Sequence, residues 1–121
     1  MTFRKYAPYI DHIIDSIKDI EESINGLNEN DFKSKKDVKD SNIRRIEVIG
    51  EAVKNISNEL KDKYPEIEWK KIAGTRDKLM HHYFGVDLNL LWKIIVEDIP
   101  ILKKQIQKVK DDLEKKGKKK G

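Results

Sequence analysis

Apolar residues recur every three or four positions along most of the chain, and this spacing constrains the fold more than any other feature. It matches the period of an α-helix, and no segment alternates as a β-strand does. Four segments carry the pattern, and they span residues 10–27, 43–60, 69–80 and 88–113. Four amphipathic helices joined by short connections predict an all-α fold, an antiparallel four-helix bundle.

Turn and capping residues set the expected ends of the first two helices. Gly26 lies where the first helix should stop, because glycine readily ends a helix. The cluster 40–42, Asp-Ser-Asn, is suited to a cap or a break before the second helix. Tyr64-Pro65 should end that helix, since a residue before proline disfavours helical geometry. The polar stretch between the two helices predicts a connection with a short helical turn around Phe32.

The last two helices are expected to meet near residue 86. Gly85 is predicted to close the third helix, and Asp87 to cap the fourth. Pro100 lies inside the fourth apolar stripe. It should kink the last helix, because proline lacks the amide hydrogen that a helix interior uses.

The charge of the chain is unevenly distributed. The net charge is +4, yet residues 103–121 hold nine lysines and three acids, which leaves residues 1–102 with 17 basic and 19 acidic side chains. The basic character therefore belongs to the C-terminal end and does not predict a basic folded surface. We expect one helical domain over residues 1–114 and a disordered, lysine-rich tail over residues 115–121.

Several classes of protein are excluded by what the sequence lacks. Without cysteine, it can form neither disulfides nor thiolate metal sites, and it has no cysteine nucleophile. No run approaches the roughly 18 apolar residues of a membrane span, and no apolar segment follows the N-terminus as in a secretory signal. These features predict a cytoplasmic protein with no membrane partner.

The segment 76–83 concentrates the groups that can perform chemistry. It contains Arg76, His81, His82 and Tyr83 within eight residues. Histidine moves protons near neutral pH, and the arginine fork matches phosphate oxygens. These groups suit the cleavage of a phosphodiester, and in RNA the 2′-hydroxyl can act as the nucleophile. No cofactor is then required, and no metal site is expected, because adjacent histidines diverge on a helix and no His-x-x-x-His pair is present.

The spacing of Arg76 and His81 poses a geometric problem. Five residues of continuous helix turn the chain by about 500°, so the two side chains would point roughly 140° apart. One solution is that the helix ends near His81, which lets the imidazole swing back. Another is that a second chain supplies the partner group, as in a symmetric dimer.

The pattern Arg-x-x-x-x-His-x-Tyr, formed by Arg76, His81 and Tyr83, resembles the motif of HepT-like toxins in the HEPN superfamily (higher eukaryotes and prokaryotes nucleotide-binding). The similarity extends from about Tyr6 to Leu113. The segments that frame the motif are also similar to the family's, and they are residues 45–52, 64–69, 83–87 and 92–100.

This resemblance implies a HEPN-like helical bundle that forms a homodimer with its active cleft at the dimer interface. It further implies a metal-independent ribonuclease toxin with Arg76 and His81 in the catalytic places. The partner it implies is a minimal nucleotidyltransferase antitoxin that silences the toxin by transferring AMP from ATP to Tyr83. A phosphodiester on Tyr83 would compete with the substrate phosphate beside Arg76.

Four further residues are candidates for supporting roles. Asp77 stands where the family often has asparagine, and its carboxylate could pair with Arg76. His82 occupies the variable motif position and could share proton transfer or be solvated. Glu47 and Glu51 lie one helical turn apart, and they could orient Arg76 or Arg45 or face solvent.

Two other functions fit the same sequence. One is a non-catalytic dimeric adaptor that binds a nucleotidyltransferase and its nucleotide. The other is a plain helical oligomerisation module for which neither RNA nor a nucleotidyltransferase matters.

Overall fold

Helices make up most of the residues that the structure describes. The structure, a computed structural model, describes residues 3–81 and 85–120, and for His81 and residues 116–120 it describes the backbone alone. After a 3₁₀ turn over Arg4–Tyr6, the elements are α1 (Ala7–Ile24), α2 (Glu29–Ser34), α3 (Lys36–Lys54), α4 (Asn58–Lys61), α5 (Trp69–Ala73), α6 (Thr75–Leu79), β1 (Met80–His81), β2 (Gly85–Val86), α7 (Leu88–Lys93), a π-helical segment (Ile94–Asp98) and α8 (Ile99–Lys120). The predicted all-α class is confirmed.

The three long helices α1, α3 and α8 form the framework, with α1 packed against both of the others. Their inward faces carry the predicted apolar stripes. The most buried members, each 5% exposed or less, include Ile10, Ile13, Ile17, Ile20, Ile46, Ile49, Val53, Leu102, Ile106 and Val109. Burial of such side chains is the main source of stability in a domain of this size. The predicted helical bundle is confirmed.

The second helix begins and ends earlier than expected. Residues 40–42 are not a cap or a break but lie inside α3. Asn42 is fully buried between α1 and α3, where its Oδ1 accepts hydrogen bonds from Ser23 Oγ (3.1 Å) and Arg45 Nη1 (3.0 Å). Contacts with another helix therefore outweigh the local preference of these polar residues. The predicted single helix also breaks after Lys54, and Ser57 caps the separate helix α4.

The third predicted helix is also divided. α5 and α6 meet at Gly74, and α6 ends at Leu79. The prediction that Gly85 closes this helix is wrong. Gly85 has a φ of +79°, lies in β2 and pairs with His81 of β1. Its left-handed backbone serves a short hairpin and not a helix end.

The last helix is kinked as predicted. Asp87 caps α7, because its side chain accepts the amide hydrogen of Leu90 (3.0 Å). A π-helical segment separates α7 from α8 and lies just before Pro100. The wider π turn is a usual way for a helix to accommodate a missing backbone hydrogen bond.

The C-terminal end of α8 enters the segment expected to be a tail. Its backbone is helical as far as Lys120, while Leu113 is the last buried side chain in the described part of the chain. The boundary at residue 114 stays a prediction. In the described residues, no helix combines the length and apolarity that crossing a bilayer requires.

The short helices α5 and α6 lie against α3. A Cβ atom built on Gly50 would lie 3.4 Å from the carbonyl oxygen of Ala73, an ordinary van der Waals distance, so α5 packs directly on α3 at this position. Trp69 is buried in the same region, and its indole nitrogen donates to the carbonyl oxygens of Tyr64 (3.1 Å) and Lys61 (3.2 Å). These contacts hold the segment that leads into Arg76.

The hydroxyl of a buried tyrosine joins this segment to α8. Tyr64 Oη donates to Asp112 Oδ2 at 2.7 Å. Burial, aided by the nearby Asp112 carboxylate, raises the pKa of Tyr64 above its usual value of 10.0. The folded state therefore disfavours the tyrosinate form.

We predict that Tyr64→Phe lowers the free energy of unfolding by about 1–2 kcal/mol at neutral pH, because a hydrogen bond to a charged acceptor is lost. A raised folded-state pKa gives stability that is complete below the unfolded pKa and is lost as pH rises past it. The difference between wild type and variant should therefore shrink above about pH 10. Urea unfolding at several pH values measures this.

Tyr9→Phe is the matched control, since no hydrogen bond joins the Tyr9 hydroxyl to any residue that the structure describes. It should change the unfolding free energy little. An equal loss in both variants would mean that the bond to Asp112 contributes nothing.

Candidate active site

Arg76 lies in the five-residue helix α6, one residue after its start. At the other end of α6, the side chain of Leu79 is fully buried in the core. The helix is too short to be stable alone, so this burial and the contacts with α3 hold it in place. The side chain of Arg76 is 49% exposed and therefore accessible to a ligand.

One carboxylate is bonded to Arg76. Arg76 Nε donates to Glu47 Oε2 at 2.7 Å, and the Glu47 side chain is 29% exposed. The bond joins α6 to the middle of α3. It uses one of the five guanidinium N–H groups and leaves the terminal nitrogens outside it.

Asp77, in contrast, is only near Arg76. Its Oδ1 lies 3.8 Å from Arg76 Nη1, which is too long for a hydrogen bond, and its side chain is 84% exposed. The carboxylate predicted to pair with Arg76 thus forms a long, solvated ion pair.

In the described part of the chain, no hydrogen bond or ion pair joins Glu51 to Arg76, although Glu51 is one turn from Glu47. Its Oε1 lies 3.4 Å from Lys54 Nζ on the same exposed face of α3. Arg45, the other cation considered, donates to Asn42 Oδ1 (3.0 Å) and to the carbonyl oxygen of Asp19 (3.3 Å). Of the two glutamates, Glu47 is the one bonded to an arginine of the motif.

His81 lies beyond the end of α6, in β1. The angle expected on a continuous helix therefore does not apply to Arg76 and His81. The side chain of His81 lies outside the described part of the chain, as do His82 and Tyr83. Convergence of Arg76 with His81, proton transfer by His82 and modification of Tyr83 stay predictions.

A pair of short antiparallel strands that the sequence did not predict follows α6, and the backbone of His81 lies in the first of them. Met80 pairs with Val86, His81 pairs with Gly85, and the amide of Asp87 donates to the carbonyl oxygen of Leu79 (3.0 Å). The base of the hairpin is thus fixed to the end of α6. Gly85 was the available signal, since glycine tolerates the positive φ of a tight turn as well as that of a helix end.

An apolar cleft of about 110 Å³, which no pattern in the sequence indicated, lies beside the site. Its lining includes Ile46 and Thr75, the immediate neighbours of Glu47 and Arg76 in the chain. The cleft lies between α3, the α5–α6 segment and α8. Its walls suit an apolar surface more than a phosphate.

No group of three metal-ligating side chains lies together among the described residues. Because His82 and the imidazole of His81 fall outside them, the predicted lack of a metal site stays a prediction.

Comparison with known proteins places the chain among ribonucleases. Residues 13–109 match the HepT-like family, described as "Ribonuclease HepT-like". The chain is 44% identical over 107 residues to "Probable ribonuclease HepT" of Thermococcus cleftensis, covering 88% of this chain and 97% of that protein. It is 39% identical over 102 residues to a "Putative RNase" of Caldanaerobacter subterraneus subsp. tengcongensis, covering 84% and 91%.

A third relative is a longer protein. The chain is 48% identical over 107 residues to "Gamma-glutamylcyclotransferase and putative RNase" of Methanocaldococcus jannaschii, covering 88% of this chain and 48% of that protein. The chain thus spans about half the length of this relative. No solved structure is significantly similar to the chain. The family match over most of the chain, with the identity to the Thermococcus protein, shows that this chain belongs to the HepT-like ribonuclease family.

Proposed function

We propose that the chain is a metal-independent endoribonuclease and the toxin of a toxin–antitoxin pair acting on cytoplasmic RNA. The proposal depends on one observation in this member of a ribonuclease family, the exposure and bonding of the Arg76 side chain. The side chain is half exposed and is held through Nε alone by Glu47. Its terminal nitrogens can therefore take a phosphate in the two-point geometry that arginine favours.

Arg76 and His81 are the proposed catalytic residues. The 2′-oxygen of the RNA forms a bond to phosphorus while the bond from phosphorus to the 5′-oxygen breaks. One proton leaves the 2′-hydroxyl and another reaches the 5′-oxygen, and His81 moves protons in this exchange. Arg76 stabilises the charge that grows on the phosphorus oxygens. The products are a 2′,3′-cyclic phosphate and a 5′-hydroxyl.

The proposed active form is a homodimer. A single imidazole cannot be acid and base at the same instant, whereas a symmetric dimer brings a second histidine to the cleft. The apolar cleft beside Arg76 supports a contact between subunits. At the cleft, Ile101 is 58% exposed, the largest value among the big apolar side chains of the described residues.

The proposed partner is a minimal nucleotidyltransferase antitoxin that transfers AMP to Tyr83. Tyr83 is two residues from His81 in the sequence. An AMP group there adds bulk and a negative phosphodiester at the site, and both oppose the binding of a second phosphate.

We predict that the purified chain cleaves RNA in the presence of EDTA, and that Arg76→Ala and His81→Ala each reduce the rate at least about 100-fold. Replacing the reacting ribose by 2′-deoxyribose should abolish cleavage, because the nucleophile is then absent. Gel analysis of a labelled oligonucleotide measures the rate and identifies the cyclic phosphate.

Arg44→Ala is the control variant, since Arg44 is an exposed arginine of α3 and is expected to leave the rate unchanged. Unfolding curves for all variants separate lost chemistry from lost fold. Cleavage that needs a divalent metal, or that persists in the His81→Ala variant, contradicts the proposed mechanism.

A second prediction concerns regulation. Co-expression with a cognate minimal nucleotidyltransferase should add one or more AMP units to Tyr83 and remove the growth defect that the chain causes alone. Intact-mass and peptide mass spectrometry locate the modification. Tyr83→Phe should stay toxic and unmodified, and modification at Tyr9 instead would refute the assignment.

The same experiments separate the alternative function. An adaptor binds the nucleotidyltransferase but cleaves no RNA, with or without substitution of Arg76. A plain oligomerisation module does neither.

A further inference from the structure

We propose that Glu47 is a positioning residue for the reaction. Its carboxylate holds Arg76 by Nε and so presents the terminal edge of the guanidinium to the substrate phosphate. The inference rests on the proposed ribonuclease function and extends it to a residue outside the Arg-x-x-x-x-His-x-Tyr motif.

Glu47 lies on a rigid part of the framework. Glu47 lies 29 residues before Arg76 in the chain, near the middle of the 19-residue helix α3. Its neighbours Ile46 and Ile49 are buried at 4% and 2% exposure. The carboxylate therefore projects from a fixed backbone, while Arg76 projects from a short helix at the edge of the fold.

The hydrogen bond to Glu47 meets the Arg76 guanidinium at Nε and not at its terminal nitrogens. A free arginine side chain samples many rotamers, and holding it in one of them costs entropy when a substrate binds. A bond at Nε restricts the side chain before binding. It also keeps Nη1 and Nη2 available, the two nitrogens that can grip a phosphate side by side.

The remaining charges near Arg76 do not provide this restraint. Asp77 lies at 3.8 Å and is 84% exposed, so it is too distant and too solvated to fix the guanidinium. Glu51 is paired with Lys54 instead. Within the described part of the chain, Glu47 makes the one hydrogen bond from a side chain to the Arg76 guanidinium.

A positioning role has a distinct kinetic signature. Misplacing a catalytic group by about 1 Å can reduce a rate about 100-fold without removing the group. Loss of Glu47 should therefore lower kcat more than it changes KM. A purely structural residue would instead reduce the fraction of folded enzyme and leave the kinetics of the folded fraction unchanged.

The test compares Glu47→Ala with Glu51→Ala, which removes a carboxylate one helical turn away that does not bond Arg76. We expect Glu47→Ala to lower kcat/KM about 10- to 100-fold, mainly through kcat. Glu47→Gln keeps an acceptor oxygen and should retain part of the rate. Glu51→Ala should match wild type. Unfolding curves establish that each variant is folded under the assay conditions.

A second measurement does not depend on activity. The Nε–H resonance of Arg76, assigned by its loss in Arg76→Lys, should exchange slowly with water and appear downfield in wild type and Glu51→Ala. In Glu47→Ala it should take the shift and fast exchange of a free arginine.

The outcomes separate this inference from the proposed function. If wild type cleaves RNA and folded Glu47→Ala cleaves it equally well, the positioning role is overturned and the ribonuclease stands. Faster cleavage by Glu47→Ala also overturns the positioning role, since the Glu47 carboxylate would then inhibit the reaction by neutralising the charge of Arg76. If wild type cleaves no RNA, the proposed function fails and the positioning role fails with it, whatever the resonance shows.

Discussion

The packing of two very short helices onto α3 is the constraint on which the rest of the site depends. α5 and α6 have five residues each, too few to be stable as isolated helices. They are held in place because Trp69 and Leu79 are buried and because both helices pack against α3. The framework of α1, α3 and α8 thus determines where Arg76 lies, although none of those helices contains it.

The ion pair between Arg76 and Glu47 contributes little to stability but restricts the direction of the guanidinium. A half-exposed pair contributes on the order of 0–1 kcal/mol to stability, because water screens the charges and two long side chains lose freedom. The same bond nevertheless selects one direction for the guanidinium. The burial of Leu79 and the contacts with α3 fix the backbone of α6. The ion pair then orients the side chain of Arg76.

The sequence predicted what depends on local pattern and missed what depends on partners far along the chain. The stripes of α1, α3 and α8, the Asp87 cap and the break near Pro100 were all visible as spacing or as single residues with one strong preference. The prediction of a cap or break at residues 40–42 was wrong, because burial of Asn42 against α1 overrides the capping preference of these residues. Gly85 misled because a positive φ serves both a hairpin and a helix end.

The choice between Glu47 and Glu51 could not be made from spacing, and the reason is physical. Both glutamates lie on α3 one turn apart, so they share a face of the helix. Their spacing alone does not show which of them a cation from another helix would contact. The contact of α6 with α3 decides between them, and α6 is held there by the burial of Leu79, which carries no charge. The electrostatics of the site is therefore a consequence of apolar packing: the core places the backbone of Arg76 beside one carboxylate, and the charges then complete an arrangement that they did not select.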